Sequence, residues 1–223
     1  MNQEQALSLL KETKLVAILR GIPVKQATDI ATALYDGGVR VLEFTFDHDD
    51  PDCVAHNCQR IRAVKKIFGD EMVVGCGTVL TVQEVEASVE AGGQIVISPN
   101  VDVSVIAKTK ALGAISMPGA LTPTEIVMAY NAGADIVKLF PAGTLGVPYI
   151  KAVRGPLGYI PMSAVGGVRP ETIADFLNVG VCGFGVGGEL VKKEFVRSGD
   201  MNALTSRARK FVHAIEQWEA NRS

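Results

Sequence analysis

A short phrase recurs along the chain and restricts its fold more than any other feature: the end of a helix, then glycine, then a short apolar strand. It is spelled Asp36-Gly37-Gly38-Val39-Arg40-Val41, Ala91-Gly92-Gly93-Gln94-Ile95-Val96 and Ala111-Leu112-Gly113-Ala114-Ile115. It returns as Asn131-Ala132-Gly133-Ala134-Asp135-Ile136 and Asn178-Val179-Gly180-Val181-Cys182. Glycine enters the left-handed backbone region without steric penalty, so each phrase reads as a helix closing before the chain turns into a strand. Helix starts are as legible. Thr81 with Glu84 three residues on reads as a capping box, Thr122-Pro123-Thr124-Glu125 puts proline at the first helical position, and Arg169-Pro170-Glu171 opens another helix.

The phrase divides the chain into strands near 14–19, 39–46, 72–76, 95–98, 115–117, 135–140, 160–163 and 182–186, with helical segments between them and after the last. Eight such alternations over 223 residues predict an α/β fold, a (β/α)8 TIM barrel. A doubly wound open sheet is the alternative, but the turn after the first strand, Leu19-Arg20-Gly21-Ile22-Pro23, is no glycine-rich nucleotide loop. An additional N-terminal helix near 2–13 and a last one near 201–219 either close the bottom of the barrel or pack on a neighbouring subunit. No linker or shift of composition interrupts residues 1–223, which reads as a single domain.

Composition removes several function classes. A net charge of −2 with both signs scattered leaves no basic footprint for nucleic acid. No stretch approaches the length of a membrane span, and the first residues carry no signal-peptide pattern. The four cysteines (Cys53, Cys58, Cys76, Cys182) form neither a CxxC pair nor a Cys/His metal spacing. A reduced, cytoplasmic setting is the expectation.

In a barrel of this kind chemistry gathers at the C-terminal mouth of the strands. The polar residues that the reading brings there are Arg20, Glu43, Thr45, Thr78, Ser98, Lys138 and Ser163, with Pro118-Gly119 and the glycine turns Gly166-Gly167 and Gly185 to Gly188. Lys138 stands out because it lies near the C-terminal end of a run that otherwise reads as a buried parallel strand, Ala134-Asp135-Ile136-Val137-Lys138-Leu139-Phe140-Pro141. Parallel strands are covered on both faces, and a buried ammonium must pair or shed its proton. A neutral amine attacks carbonyls. The competing reading is a lysine whose stem lines the barrel while its head reaches solvent or a carboxylate.

Strand alternation gives Glu43, Thr45 and Asp47 one face and Leu42, Phe44 and Phe46 the other. Glu43 is then either half of a structural ion pair with Lys138 or a buried acid that moves protons. Arg20 and Thr78 offer a donor fork and a hydroxyl for a small carboxylate; a surface pairing is the other option for Arg20. Amides of Gly166, Gly167, Gly187 and Gly188 suit a phosphate, though paired glycines also occur at barrel turns for steric reasons. His48 and His56 lie among Asp47, Asp49, Asp50 and Asp52, and this acidic stretch reads as a solvated loop rather than a metal site.

Together, Leu15 to Gly21, Val41-Leu42-Glu43, Gly75-Cys76-Gly77-Thr78-Val79-Leu80, Ile97-Ser98-Pro99-Asn100, Pro118-Gly119, Val137-Lys138-Leu139-Phe140-Pro141 and Gly185-Val186-Gly187-Gly188 carry a resemblance. The chain resembles the class I family of 2-keto-3-deoxy-6-phosphogluconate and 4-hydroxy-2-oxoglutarate (KDPG/KHG) aldolases over essentially its whole length. The resemblance implies a homotrimeric barrel without metal or organic cofactor that cleaves a 2-keto-3-deoxy acid to pyruvate and an aldehyde. Carried over by position, Lys138 would form the imine and Glu43 would be the general acid and base. Arg20 and Thr78 would bind the substrate carboxylate, and Pro99, Phe140, Pro118 and Gly119 would wall the pocket. Gly166, Gly167, Gly187 and Gly188 would take the phosphate. Asp47 stands where many members carry arginine, which resembles the 2-dehydro-3-deoxy-6-phosphogalactonate branch and shifts the carboxylate onto Arg20. Gly188, followed by Glu189, stands where many carry a phosphate-supporting serine. A phosphosugar isomerase or epimerase on the same barrel, and a non-catalytic ligand-binding barrel, are the alternatives.

Overall fold

The computed structural model describes residues 1–222. Its strands are β1 (Leu15–Leu19), β2 (Val41–Thr45), β3 (Val73–Gly77), β4 (Ile95–Ile97), β5 (Ile115–Met117), β6 (Gly119–Ala120), β7 (Val137–Leu139), β8 (Met162–Val165) and β9 (Gly183–Val186). They pair in parallel in the order β5-β4-β3-β2-β1-β9-β8-β7-β6. The helices are α1 (Gln3–Thr13), α2 (Ala27–Asp36), α3 (Cys53–Phe68), α4 (Val82–Glu90), α5 (Val103–Ala111), α6 (Pro123–Asn131), α7 (Ala142–Leu157), α8 (Ile173–Asn178), α9 (Lys193–Ser198) and α10 (Met201–Ala220). No described helix is long and apolar enough to cross a membrane.

Nine strands make eight staves because Pro118 divides the fifth. Proline has no amide hydrogen to give a ladder, so a strand interrupted by one splits. The two halves still close the ring. Ser116 O accepts the amides of Asp135 at 3.0 Å and Ile136 at 3.4 Å, and β6 pairs with β7 at Gly119↔Lys138. The result is the expected TIM-type barrel.

Local sequence accounts for the element ends. Thr81 and Glu84 form a reciprocal capping box at α4, and Thr122 with Glu125 forms another at α6, where Pro123 takes the first helical position. Arg169-Pro170 opens a 3-10 turn, Pro170–Thr172, that leads into α8. Positive φ angles between 73° and 102° at Gly38, Gly92, Gly113, Gly133 and Gly180 close the helices at all five repeated phrases.

Packing divides the core in two. Leu42, Phe44 and Phe46 point outward to the helical layer, with Ile61 and Val64 of α3 in the same cluster. Inside the barrel, Val16, Val41, Val73, Ile95, Ile115 and Val165 meet Ala6 and Leu10 of α1. The N-terminal helix therefore plugs the lower end and excludes water there. The last helix takes a different place: Ala208 and Phe211 of α10 join the outer cluster, and Trp218 Nε1 donates to Asn178 Oδ1 at the end of α8 at 2.8 Å. With the bottom filled by hydrocarbon, the upper end is the part of the barrel that can admit a polar molecule.

Candidate active site

At that end lies a cavity of about 650 Å³. Its wall brings together Arg20 after β1, Glu43 and Thr45 of β2, Thr78 after β3, Pro99 after β4, and Lys138 with Phe140 from β7 and its exit. Gly166 and Gly167 after β8, and Gly187 and Gly188 after β9, complete the far side. Ten of the twelve residues given site roles by the resemblance therefore share one space.

Pro118 and Gly119 do not line it and correct the expectation of a pocket wall. Lys138 N donates to Pro118 O at 2.8 Å, and Gly119 pairs with Lys138 in the sheet. A Cβ on Gly119 would fall 2.3 Å from Pro99 O, so this glycine permits close backbone packing behind the cavity. Ser98 turns its hydroxyl to Asn100 O at 2.8 Å, and Ser163 is the sheet neighbour of Lys138; neither reaches the wall.

Lys138 is 7% exposed and Glu43 is 1% exposed. They do not form a close ion pair: no carboxylate lies within 4 Å of Lys138 Nζ among the described residues, and Glu43 Oε2 is buried without a protein partner. The structural ion pair considered for Glu43 is absent. The amine stands instead over the Phe140 ring, with Nζ 5.1 Å from its centroid. Their charges still interact across the cavity. Burial pushes the Lys138 pKa down from its ordinary value of 10.5; the Glu43 carboxylate opposes this and the Arg20 guanidinium reinforces it. Burial likewise pushes Glu43 up from 4.5 to about 7, against the pull of Lys138 and Arg20. Both shifts follow from removing charged forms from water. An amine biased toward neutrality now faces a carboxyl group that both holds and releases a proton near pH 7.

Two features of β3 shape this arrangement. Thr45 pairs with Gly77, and the Glu43 carboxylate leans over that glycine; a Cβ at 77 would lie 1.9 Å from Oε2. Thr78 follows at φ 58°, a left-handed conformation that costs a threonine roughly 1–3 kcal/mol. Strain of this size persists only where the surroundings hold it.

The sequence reading passed over several wall residues. Ile18, Val165, Val168 and Val191 supply apolar surface, and Lys193 adds a cation at the rim. Gly77, which lies against Glu43 rather than on the wall, carried a visible signal, since a glycine inside a strand marks close approach by another group. The apolar residues carried none, being indistinguishable from core. Glu189 also lines the cavity, but its carboxylate lies 3.5 Å from Arg207 Nη2 and its carbonyl accepts from Arg207 Nε at 2.8 Å. Its charge therefore has a partner. Asp47 leaves the face that Glu43 occupies: β2 ends at Thr45, and Asp47 is exposed beside a separate cavity of about 210 Å³ with Arg60 and Cys53. His48 bonds to Glu84 and His56 to Asp50, so each ring has a carboxylate partner.

This lysine and carboxyl pair at a barrel mouth can be set beside known proteins. A family model described as "KDPG and KHG aldolase" matches residues 7–207. The chain belongs to the KDPG and KHG aldolase family. A probable 2-dehydro-3-deoxy-6-phosphogalactonate aldolase of Rhizobium meliloti is 37% identical over 81% of this chain and 83% of its own length. The KHG/KDPG aldolase of Escherichia coli is 33% identical over 95% and 96%. Among solved structures, one described as native KDPGal superposes with a TM-score of 0.83 at 33% identity, covering 92% of this chain and 96% of the other. In this member of the family, then, a lysine and a glutamate are buried together in one cavity.

Proposed function

We propose that this chain is a class I aldolase that cleaves a 6-phosphorylated 2-keto-3-deoxy sugar acid to pyruvate and an aldehyde such as glyceraldehyde 3-phosphate. One observation carries the reading: a buried lysine with a lowered pKa shares a cavity with a buried carboxyl group raised to about 7. Lys138 attacks the C2 ketone, and Glu43 protonates the carbinolamine oxygen so that water departs and an iminium forms. The iminium accepts the C3–C4 bonding electrons while Glu43, directly or through water, takes the C4 hydroxyl proton. The aldehyde leaves. Protonation of the enamine at C3 and hydrolysis then release pyruvate and return the amine. A carboxyl group titrating near neutrality suits these alternating transfers.

Arg20 and Thr78 bind the substrate carboxylate, with Pro99 and Phe140 as walls. Gly166, Gly167, Gly187 and Gly188 take the phosphate through backbone amides. Pairing of Glu189 with Arg207 and the cation of Lys193 at the rim support an anion there. Two relatives named 2-dehydro-3-deoxy-6-phosphogalactonate aldolase, at 37% and 35% identity, favour galactonate stereochemistry. The relative named KHG/KDPG aldolase supports 4-hydroxy-2-oxoglutarate as a second substrate, with glyoxylate as its product. Residues 1–223 act as one barrel in a cytoplasmic homotrimer; exposed Leu121, Met128 and Tyr130, with Tyr159 packed edge-on against Tyr130 at 5.6 Å, offer apolar surface for subunit contact.

The test is borohydride reduction in the presence of pyruvate, followed by peptide mapping, alongside pyruvate release from gluconate- and galactonate-derived keto-deoxy acids with and without phosphate. A reduced adduct on Lys138, absent in Lys138→Ala and Lys138→Arg, is expected, with turnover in both variants reduced at least about a thousandfold. Parental cleavage rates in either variant refute the imine. Isomerase turnover without an adduct would instead support the isomerase or epimerase alternative.

A further inference from the structure

We propose that Glu84 is a positioning residue that holds Thr78 in its left-handed conformation, with His48 as its second anchor. The inference rests on the carboxylate-binding role given to Thr78 above. Glu84 belongs to α4, yet both of its oxygens are engaged in the loops at the barrel mouth. Oε2 accepts the amides of Leu80 at 2.7 Å and Thr81 at 3.1 Å, and Oε1 meets His48 Nε2 at 2.8 Å. The carboxylate thus joins the loop that leaves β2, just past Glu43 and Thr45, to the turn that carries Thr78.

A second copy of the same motif isolates what is special. Glu125 of α6 also closes a capping box and accepts the amides of Leu121 at 2.9 Å and Thr122 at 2.7 Å. Glu125 is only partly buried, has no partner from another loop among the described residues, and follows a turn without a positive-φ residue. Glu84 is 5% exposed, reaches His48 across 36 positions of sequence, and sits two residues from the end of a turn that begins with a strained threonine. Helix capping alone would need only the first set of bonds. The extra, part-buried bond to the β2 loop is what a brace for Thr78 requires, because it ties the turn to the strand carrying the acid. Next to Thr78, Val79 N donates to Ile97 O at 3.2 Å, and on its other side Gly77 O accepts Phe46 N at 2.8 Å. Glu84 holds the continuation of the turn at Leu80 and Thr81.

The experiment is a double-mutant cycle on the full chain. The readouts are KM and kcat for retro-aldol cleavage, the pyruvate concentration that half-saturates borohydride trapping, and the melting temperature. Glu84→Ala is expected to raise KM and the trapping midpoint about tenfold, as loss of one charge-assisted contact would. Glu84→Gln, which keeps an acceptor for the amides, should remain within about threefold. Glu125→Ala, the capping control, should lower the melting temperature and leave KM unchanged. In a Thr78→Ala background, Glu84→Ala should add less than about twofold, since a residue acting through Thr78 has nothing left to position. His48→Ala run through the same cycle removes the anchor without removing the cap, and serves if Glu84→Ala does not fold. An equal KM effect in both backgrounds, or a lowered melting temperature with KM unchanged, overturns the positioning role alone. If Thr78→Ala itself leaves KM unchanged, the carboxylate role of Thr78 fails first and this inference falls with it.

Discussion

Replacing Glu43 with glutamine should stabilise the folded protein by an amount that grows with pH. The wild-type carboxyl is wholly buried and its pKa rises from 4.5 to about 7 on folding, burial being the largest cause. A raised folded-state value means that the native state prefers the protonated form. The stability associated with that proton is complete below about pH 4.5 and is lost as pH climbs through about 7. At about 1.4 kcal/mol for each pH unit, the interval amounts to roughly 3 kcal/mol of destabilisation carried by the wild type at pH 8. Glutamine matches the protonated carboxyl in shape and never ionises, so the variant escapes this loss. Urea unfolding, followed by the fluorescence of Trp218, the single tryptophan, measures it. Both proteins must be compared at equal chain concentration, because subunit association shifts apparent stability. The expected difference is close to zero at pH 4.5 and about 3 kcal/mol in favour of Glu43→Gln at pH 8. Turnover should fall by about 100-fold to 10,000-fold in the same variant, since glutamine cannot relay protons. A stability difference that does not change with pH, or a variant less stable than wild type at pH 8, would refute the claim that burial raises this acid.

Gly77→Ala places a methyl group where Glu43 Oε2 now lies. The carboxyl group must move, which should cost about 1–3 kcal/mol in stability and about 100-fold in kcat, with the circular dichroism spectrum retained. Turnover near the parental rate would show that the position of Glu43 over Gly77 is immaterial. Sedimentation velocity should report a species of three chains; a concentration-independent monomer would remove the trimer from the proposal.

The sequence carried the barrel because its repeats are local. Each glycine at a helix end and each threonine cap acts within a few residues, so the alternation of helix and strand is readable before anything packs. Lys138 and Glu43 were equally legible as chemistry, since each is an ionisable residue within an apolar strand. Their separation was not. Two readings of Glu43 stood open, an ion pair or a proton carrier, and the choice depends on where two strands distant in sequence place their side chains around a ring. Pro118 and Gly119 show the opposite failure. They sit beside a strand end as the wall residues do, but their backbone groups serve the sheet behind Lys138.

What the chain determines by itself is periodicity: which segments are helix or strand, which faces are apolar, and which strand ends bear reactive groups. Tertiary structure alone decides which of those ends converge, because convergence depends on strand register and barrel closure. Burial is decided at the same step. The amine and the acid acquire their shifted proton affinities only when α1 and the inner hydrocarbon close one end of the ring and leave both groups in a space poor in water.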